Sequence, residues 1–200
     1  MLGGEPIPGQ TPLPDLSGLR DPSIRTVSEL NACEAENIRR AVIRYLASRP
    51  TPRAAPFDEQ WLRALHRQMF GDVWAWAGSY RRHETNIGSP AHRIEVEVHG
   101  LVEDLRAWDR SGMDPIEQST RLHHRAVQIH PFANGNGRWS RMLGSIWLRR
   151  KGLPPVHWPE ASIGGASLIR GEYLDALRAA DGGDLGPLLR LHERFAKAAD

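Results

Sequence analysis

The hydrophobic and polar positions along the chain predict a succession of amphipathic helices with one interruption. Thr26-Val27-Ser28-Glu29 has the form of a capping box, and Leu30, Glu34, Ile38, Ala41, Val42, Tyr45 and Leu46 then recur at helical spacing. A helix is therefore predicted to about Ser48, where Pro50 and Pro52 end it. Asp58 is the expected N-cap of a second helix, with Phe57 able to staple against Leu62. Trp61, Leu62, Leu65 and Met69 form its inner face, and Gly71 its end. Trp74 and Trp76 follow in a short connection and read as core packing, since each tryptophan buries ~150–250 Å². Then the period changes. Ile94-Glu95-Val96-Glu97-Val98-His99 alternates apolar and polar, the pattern of a half-exposed strand, after the turn-rich run Asn86-Ile87-Gly88-Ser89-Pro90. Helical spacing returns from Leu101 to Trp108 and breaks at Ser111-Gly112-Met113. It resumes after the Asp114-Pro115 cap as far as Ile129, with Ile116, Thr120, His123, Val127 and His130 on one face. Further helices are predicted from about Arg138 to Arg150, Ala166 to Ala180 and Leu185 to Ala198. The fold class that follows is mainly α, a helical bundle with a small β-hairpin.

Composition narrows the setting without naming a function. With 200 residues, 40% hydrophobic and 25% charged, the chain can bury one ordinary globular core. Residues 1–25 carry Pro6, Pro8, Pro12, Pro14 and Pro22 among glycines and read as an extended arm, docked or loose; residues 26–200 read as a single domain. A net charge of +2 with no basic run argues against nucleic acid as a partner. Cys33 is the only cysteine, which precludes an intramolecular disulfide and fits a reducing compartment. There is no apolar run of about 18 residues and no signal pattern at the N-terminus, so a cytoplasmic protein without a membrane partner is expected.

Candidate chemistry concentrates between two predicted helices, in His130-Pro131-Phe132-Ala133-Asn134-Gly135-Asn136-Gly137-Arg138-Trp139-Ser140-Arg141. Gly135 and Gly137 bracket an asparagine and open a helix, an arrangement that lets backbone N–H groups converge on an anion. Arg138 and Arg141 fall in that helix's first turn, one turn apart, where cations oppose the helix dipole by roughly 0.3–1 kcal/mol each. They make sense there if an anion, a polyphosphate or an acidic side chain, sits between them and the loop. His130, beside two arginines and a helix N-terminus, should have a lowered pKa and stand as a free base near neutral pH. His123, inside a helix face, reads as a hydrogen-bonded core residue.

The order of these residues resembles the Fic-domain signature. His130, Phe132, Gly135, Asn136, Gly137, Arg138 and Arg141 match its defined positions, and Asn134 stands where the family has Asp or Glu. Trp76-Ala77-Gly78-Ser79-Tyr80-Arg81 is similar to the family's turn before a hairpin. Glu172-Tyr173-Leu174-Asp175-Ala176-Leu177, Gly183-Asp184-Leu185 and Pro187-Leu188 look like its C-terminal half. The likeness runs from about Thr26 to near Leu191, and the chain as a whole looks most like the subgroup labelled mobile mystery protein B.

The resemblance implies a Fic-type helical bundle and a protein nucleotidyltransferase, moving AMP from ATP to a Ser, Thr or Tyr hydroxyl of a target protein. His130 would be the base, and Asn134, Gly135, Asn136, Gly137, Arg138 and Arg141 would hold the nucleotide. A hairpin flap at Ile94, Glu95 and Val96 would align the target, since open strand edges recruit extended peptides. Mg²⁺ is expected but weakly held, because Asn134 offers an amide oxygen in place of a carboxylate. Ala32-Cys33-Glu34-Ala35-Glu36-Asn37 resembles the family's inhibitory motif, with Ala32 where a hydroxyl is expected, so that Glu36 would pair with Arg141 in an inhibitory helix at 26–48. Glu36 as a plain solvated charge is the competing reading. Also open are the reverse reaction, another nucleotide donor, a nucleotide- or peptide-binding module without turnover, and a homo-oligomer or regulatory partner.

Overall fold

The computed structural model describes residues 16–160, 163 and 167–197, and within them the chain forms seven α-helices and one 3₁₀ turn. They are α1 (Val27–Leu46), α2 (Glu59–Phe70), the 3₁₀ turn Ala91–Arg93, α3 (Ile94–Arg110), α4 (Pro115–Ile129), α5 (Asn136–Arg150), α6 (Leu168–Asp181) and α7 (Gly186–Lys197). The predicted caps are in place. Thr26 and Glu29 close a reciprocal capping box, Asp58 accepts from the Trp61 N–H at 2.8 Å, and Asp114 accepts from the Ile116 N–H at 2.8 Å ahead of Pro115. Phe57 packs on Trp61 and Trp147, with ring centroids 4.5 and 5.0 Å apart.

The main core is made by α1 to α5, with Trp74, Trp139, Phe70 and Phe132 fully enclosed. A second cluster of Tyr173, Leu177, Leu188 and Leu191 joins α6 to α7. Helix α4 packs on α3, α5, α6 and α7, so it carries both clusters and fixes the position of its own C-terminal end. The first fifteen residues of the predicted arm lie outside the described residues. The rest of it docks: Leu19 and Trp74 form an isolated antiparallel bridge, and the Arg20 N–H donates to the Val73 carbonyl at 2.9 Å.

The predicted strand is a helix. Ile94, Glu95 and Val96 form the first turn of α3, and the described residues contain no strand beyond that isolated bridge. The six-residue alternation concealed a longer period: Ile94, Val98, Leu101, Val102 and Leu105 are all buried, whereas Val96 is 71% exposed. Glu95 and Glu97 also suit the positive end of the helix dipole. The correction removes the hairpin from Ile94–Val96. What lies beside the end of α4 instead is the irregular segment 82–90.

Candidate active site

Two helix ends meet at the sequence loop. α4 terminates at His130, whose backbone is left-handed at φ 52° and ψ 58°, an uncommon conformation for a residue with a Cβ. α5 begins after Gly135, which has φ 79°, and no side chain caps its N-terminus. A Cβ on Gly135 would come within 2.6 Å of Phe70 Cζ, so both backbone and space demand glycine. The Asn136 amide clamps the loop, accepting from the Phe132 N–H at 2.9 Å and donating to the Phe132 carbonyl at 2.8 Å. Its side chain is thus structural, and what the turn offers a ligand is the backbone amides that begin α5.

The His130 backbone is fixed by Arg81, a residue that sequence reasoning left without a role. Arg81 is 4% exposed; its Nε donates to the His130 carbonyl at 2.7 Å and its N–H to the Pro131 carbonyl at 2.9 Å. Burial first, then the Arg81 charge, lowers the His130 pKa to about 4, against a hydrogen bond to the Val127 carbonyl that raises it. The expected depression is present, with Arg81 rather than Arg138 or Arg141 as the charged contributor. A neutral imidazole keeps a lone pair on one ring nitrogen, the requirement for a base. Segment 82–90 closes one side: a Cβ on Gly88 would lie 2.5 Å from His130 Cβ, and the Ser89 N–H donates to the Ile129 carbonyl at 3.2 Å.

His66, on the inner face of α2, is a second residue missed. It accepts from the Gly78 N–H at Nδ1 (3.0 Å), so Nε2 carries the proton, donating to the Asn134 carbonyl at 3.0 Å. Burial pushes its pKa to about 3, and Phe132 stacks on it at 3.7 Å. The Trp-Ala-Gly turn is thereby tied to the glycine loop. Its one sequence signal is a histidine within an apolar stripe.

Both arginines meet internal carboxylates, neither of them Glu36. Arg138 Nη1 donates to Glu34 at 2.6 Å, and the other Glu34 oxygen accepts from Trp74 Nε1 at 2.7 Å. Arg141 donates from Nε to Glu160 at 2.8 Å and from Nη2 to its second oxygen. Glu36 is exposed and pairs with Arg39 at 2.8 Å, so the expected Glu36–Arg141 contact is corrected. Residues two apart on a helix point to nearly opposite sides, and Glu34 shares its side with buried Leu30, Ala41 and Tyr45.

Asn134 is the loop's oxygen donor for the Mg²⁺ expected to arrive with a nucleotide. Asn134 Oδ1 already accepts from the Gly135 N–H at 2.6 Å, and the described residues contain no group of three His, Cys, Asp or Glu side chains able to hold an ion. No helix among them is long and apolar enough to cross a membrane.

A model of the Fic/DOC family matches residues 56–148. Protein adenylyltransferase fic-1 of Caenorhabditis briggsae is 31% identical over 141 residues, 68% of this chain and 26% of that protein. Protein adenylyltransferase Fic of Drosophila ananassae is 32% identical over 131 residues, 63% of this chain and 25% of that protein. The chain therefore spans about a quarter of the length of these relatives. Among solved structures, Fic-1 (residues 134–508) from C. elegans superposes with a TM-score of 0.73 at 26% identity, covering 92% of this chain and 53% of that one. The N-terminal Fic domain of a Bartonella quintana cell filamentation protein shares the fold, with a TM-score of 0.67 at 21% identity over 86% of this chain and 84% of that one.

Proposed function

Because the chain carries a Fic/DOC family domain, we propose that it is a protein adenylyltransferase that moves AMP from ATP to a hydroxyl of a target protein. The observation that carries this reading is the buried, neutral His130 set at the mouth of an uncapped helix N-terminus. In the proposed step the hydroxyl oxygen of a target Ser, Thr or Tyr attacks the α-phosphorus. The new O–P bond forms as the bond to the bridging oxygen of pyrophosphate breaks, and the hydroxyl proton passes to the His130 ring. The first-turn amides of α5 lie along the α- and β-phosphates, and Arg138 and Arg141 neutralise the β- and γ-phosphates. Mg²⁺ enters with the nucleotide, and no step is assigned to it.

The target segment lies against 82–90, the irregular chain packed on His130, and its recognition through backbone leaves its identity open. GTP, UTP or CTP as donor is distinguished by the mass added to the product. Glu160 supports an autoinhibited resting state, since an incoming triphosphate competes with its exposed carboxylate for Arg141. One observation favours a second reading: a neutral amide at Asn134, already accepting from the Gly135 N–H, suits a slow transferase, or one running in reverse to release AMP from a modified hydroxyl.

The test is incubation with α-labelled ATP followed by denaturation. Label retained by wild type and lost in His130→Ala is the expected result. Equal labelling of both proteins contradicts the assignment of the base, and no label on wild type, Glu160→Gln or added target contradicts transfer.

A further inference from the structure

The strongest polar feature away from His130 is a chain of buried side chains that reaches Arg141 from behind. Ser119 and His123 come from α4, Tyr173 from α6 and His192 from α7, and all are enclosed. We propose that Tyr173, His123 and His192 form a one-way hydrogen-bond relay that fixes the orientation of the Arg141 guanidinium. Tyr173 is then a positioning residue for the arginine assigned above to the phosphates; this functional half rests on that assignment.

The direction of the relay follows from its first member. A guanidinium can only donate. Arg141 gives Nε and Nη2 to Glu160, and its Nη1 lies 3.4 Å from where a Cβ on Gly137 would stand, at the glycine loop. The Tyr173 ring stands beside it, with its centroid 5.5 Å from Arg141 Cζ, and a hydroxyl can meet a guanidinium only as an acceptor. The hydroxyl oxygen therefore accepts. Its own proton goes to the acceptor that the described residues offer, His123 Nε2 at 2.9 Å. A neutral imidazole accepting at Nε2 holds its proton on Nδ1, and His123 Nδ1 donates to His192 Nε2 at 2.9 Å. The same logic puts the His192 proton on Nδ1, directed at Ser119 Oγ 3.4 Å away.

Burial keeps both rings uncharged, lowering His192 to about 3 and His123 well below its usual range. A Cβ on Gly144 would stand 2.8 Å from Ser119 Oγ and 3.5 Å from His192 Cε1, so α5 approaches the relay closely at that glycine. An apolar cluster of the same volume would hold these helices at least as well. The polar chain adds a fixed direction at Arg141.

The test uses the full chain labelled with ¹⁵N, as wild type and Tyr173→Phe. Long-range ¹H–¹⁵N correlations should show His123 and His192 neutral and protonated at Nδ1 in wild type. Either ring protonated at Nε2 overturns the relay. In Tyr173→Phe the Arg141 Nη signals should coalesce through faster rotation about Nε–Cζ, with the backbone amide spectrum preserved. Unchanged Arg141 rotation overturns the positioning role. Calorimetry should show ATP bound roughly tenfold more weakly by Tyr173→Phe, the scale of one hydrogen bond to a charged group; equal affinity overturns the functional half. A wild type that binds no ATP while showing the Nδ1 signals overturns the phosphate assignment alone.

Discussion

Arg138 and Arg141 stand one turn apart on α5 and each meets a carboxylate, but the burial of the two pairs is inverted. At Arg138 the carboxylate is enclosed, Glu34 being 3% exposed, and the guanidinium is 31% open. At Arg141 the guanidinium is enclosed at 6% and Glu160 is 51% exposed. Glu34 is also held by Trp74, whereas Glu160 has water on its other side. The first pair is built into the core, and the second is a clasp whose carboxylate can leave into water. Neutral buried histidines back both, His66 behind the glycine loop and His123 with His192 behind Arg141.

That inversion predicts unequal costs of disruption. Glu34→Ala should lose about 3 kcal/mol of stability by denaturant unfolding, because Trp74 and Arg138 forfeit a shared acceptor in an enclosed setting. A loss below about 1 kcal/mol would place Glu34 on the same footing as a surface charge.

Acid should weaken both sides together. His66 and His192 have folded pKa values of about 3, below the ordinary 6.5, so the unfolded chain binds their protons first. Their contribution is complete above about pH 6.5 and is lost as pH falls towards 3. By pH 5 each should cost about 2 kcal/mol relative to pH 7, read as a falling denaturation midpoint. A midpoint flat from pH 7 to 5 would mean that these rings are not held neutral.

The smallest effect is expected between the two pairs, at the loop. Asn134→Asp should move the Mg²⁺ dependence of label transfer to lower concentration while leaving maximal transfer within about threefold. An unaltered Mg²⁺ dependence would show that position 134 does not face the ion carried by the nucleotide.

What could be read from the chain was local. The Thr26 capping box, the Asp58 and Asp114 caps and the glycines around Asn136 act within a few residues, and each appears where expected. The flap misreading came from a window too short to separate two periods: Ile94-Glu95-Val96-Glu97-Val98 alternates, and only Leu101 and Leu105 reveal the helix. Glu34 was visible within the apolar stripe of α1, where a carboxylate needs a partner, but the partner lies 104 residues away. Arg81, His66 and Glu160 act through contacts with the signature loop and its helix that no spacing encodes. The signature loop was legible in the chain, and its supporting contacts depend on tertiary placement.

The most direct measurement is calorimetric titration of ATP into wild type, Glu160→Gln and Arg141→Gln. If the first turn of α5 is an anion seat held closed by Glu160, Glu160→Gln should bind roughly tenfold more tightly than wild type and Arg141→Gln more weakly. The same affinity in all three proteins would contradict the account.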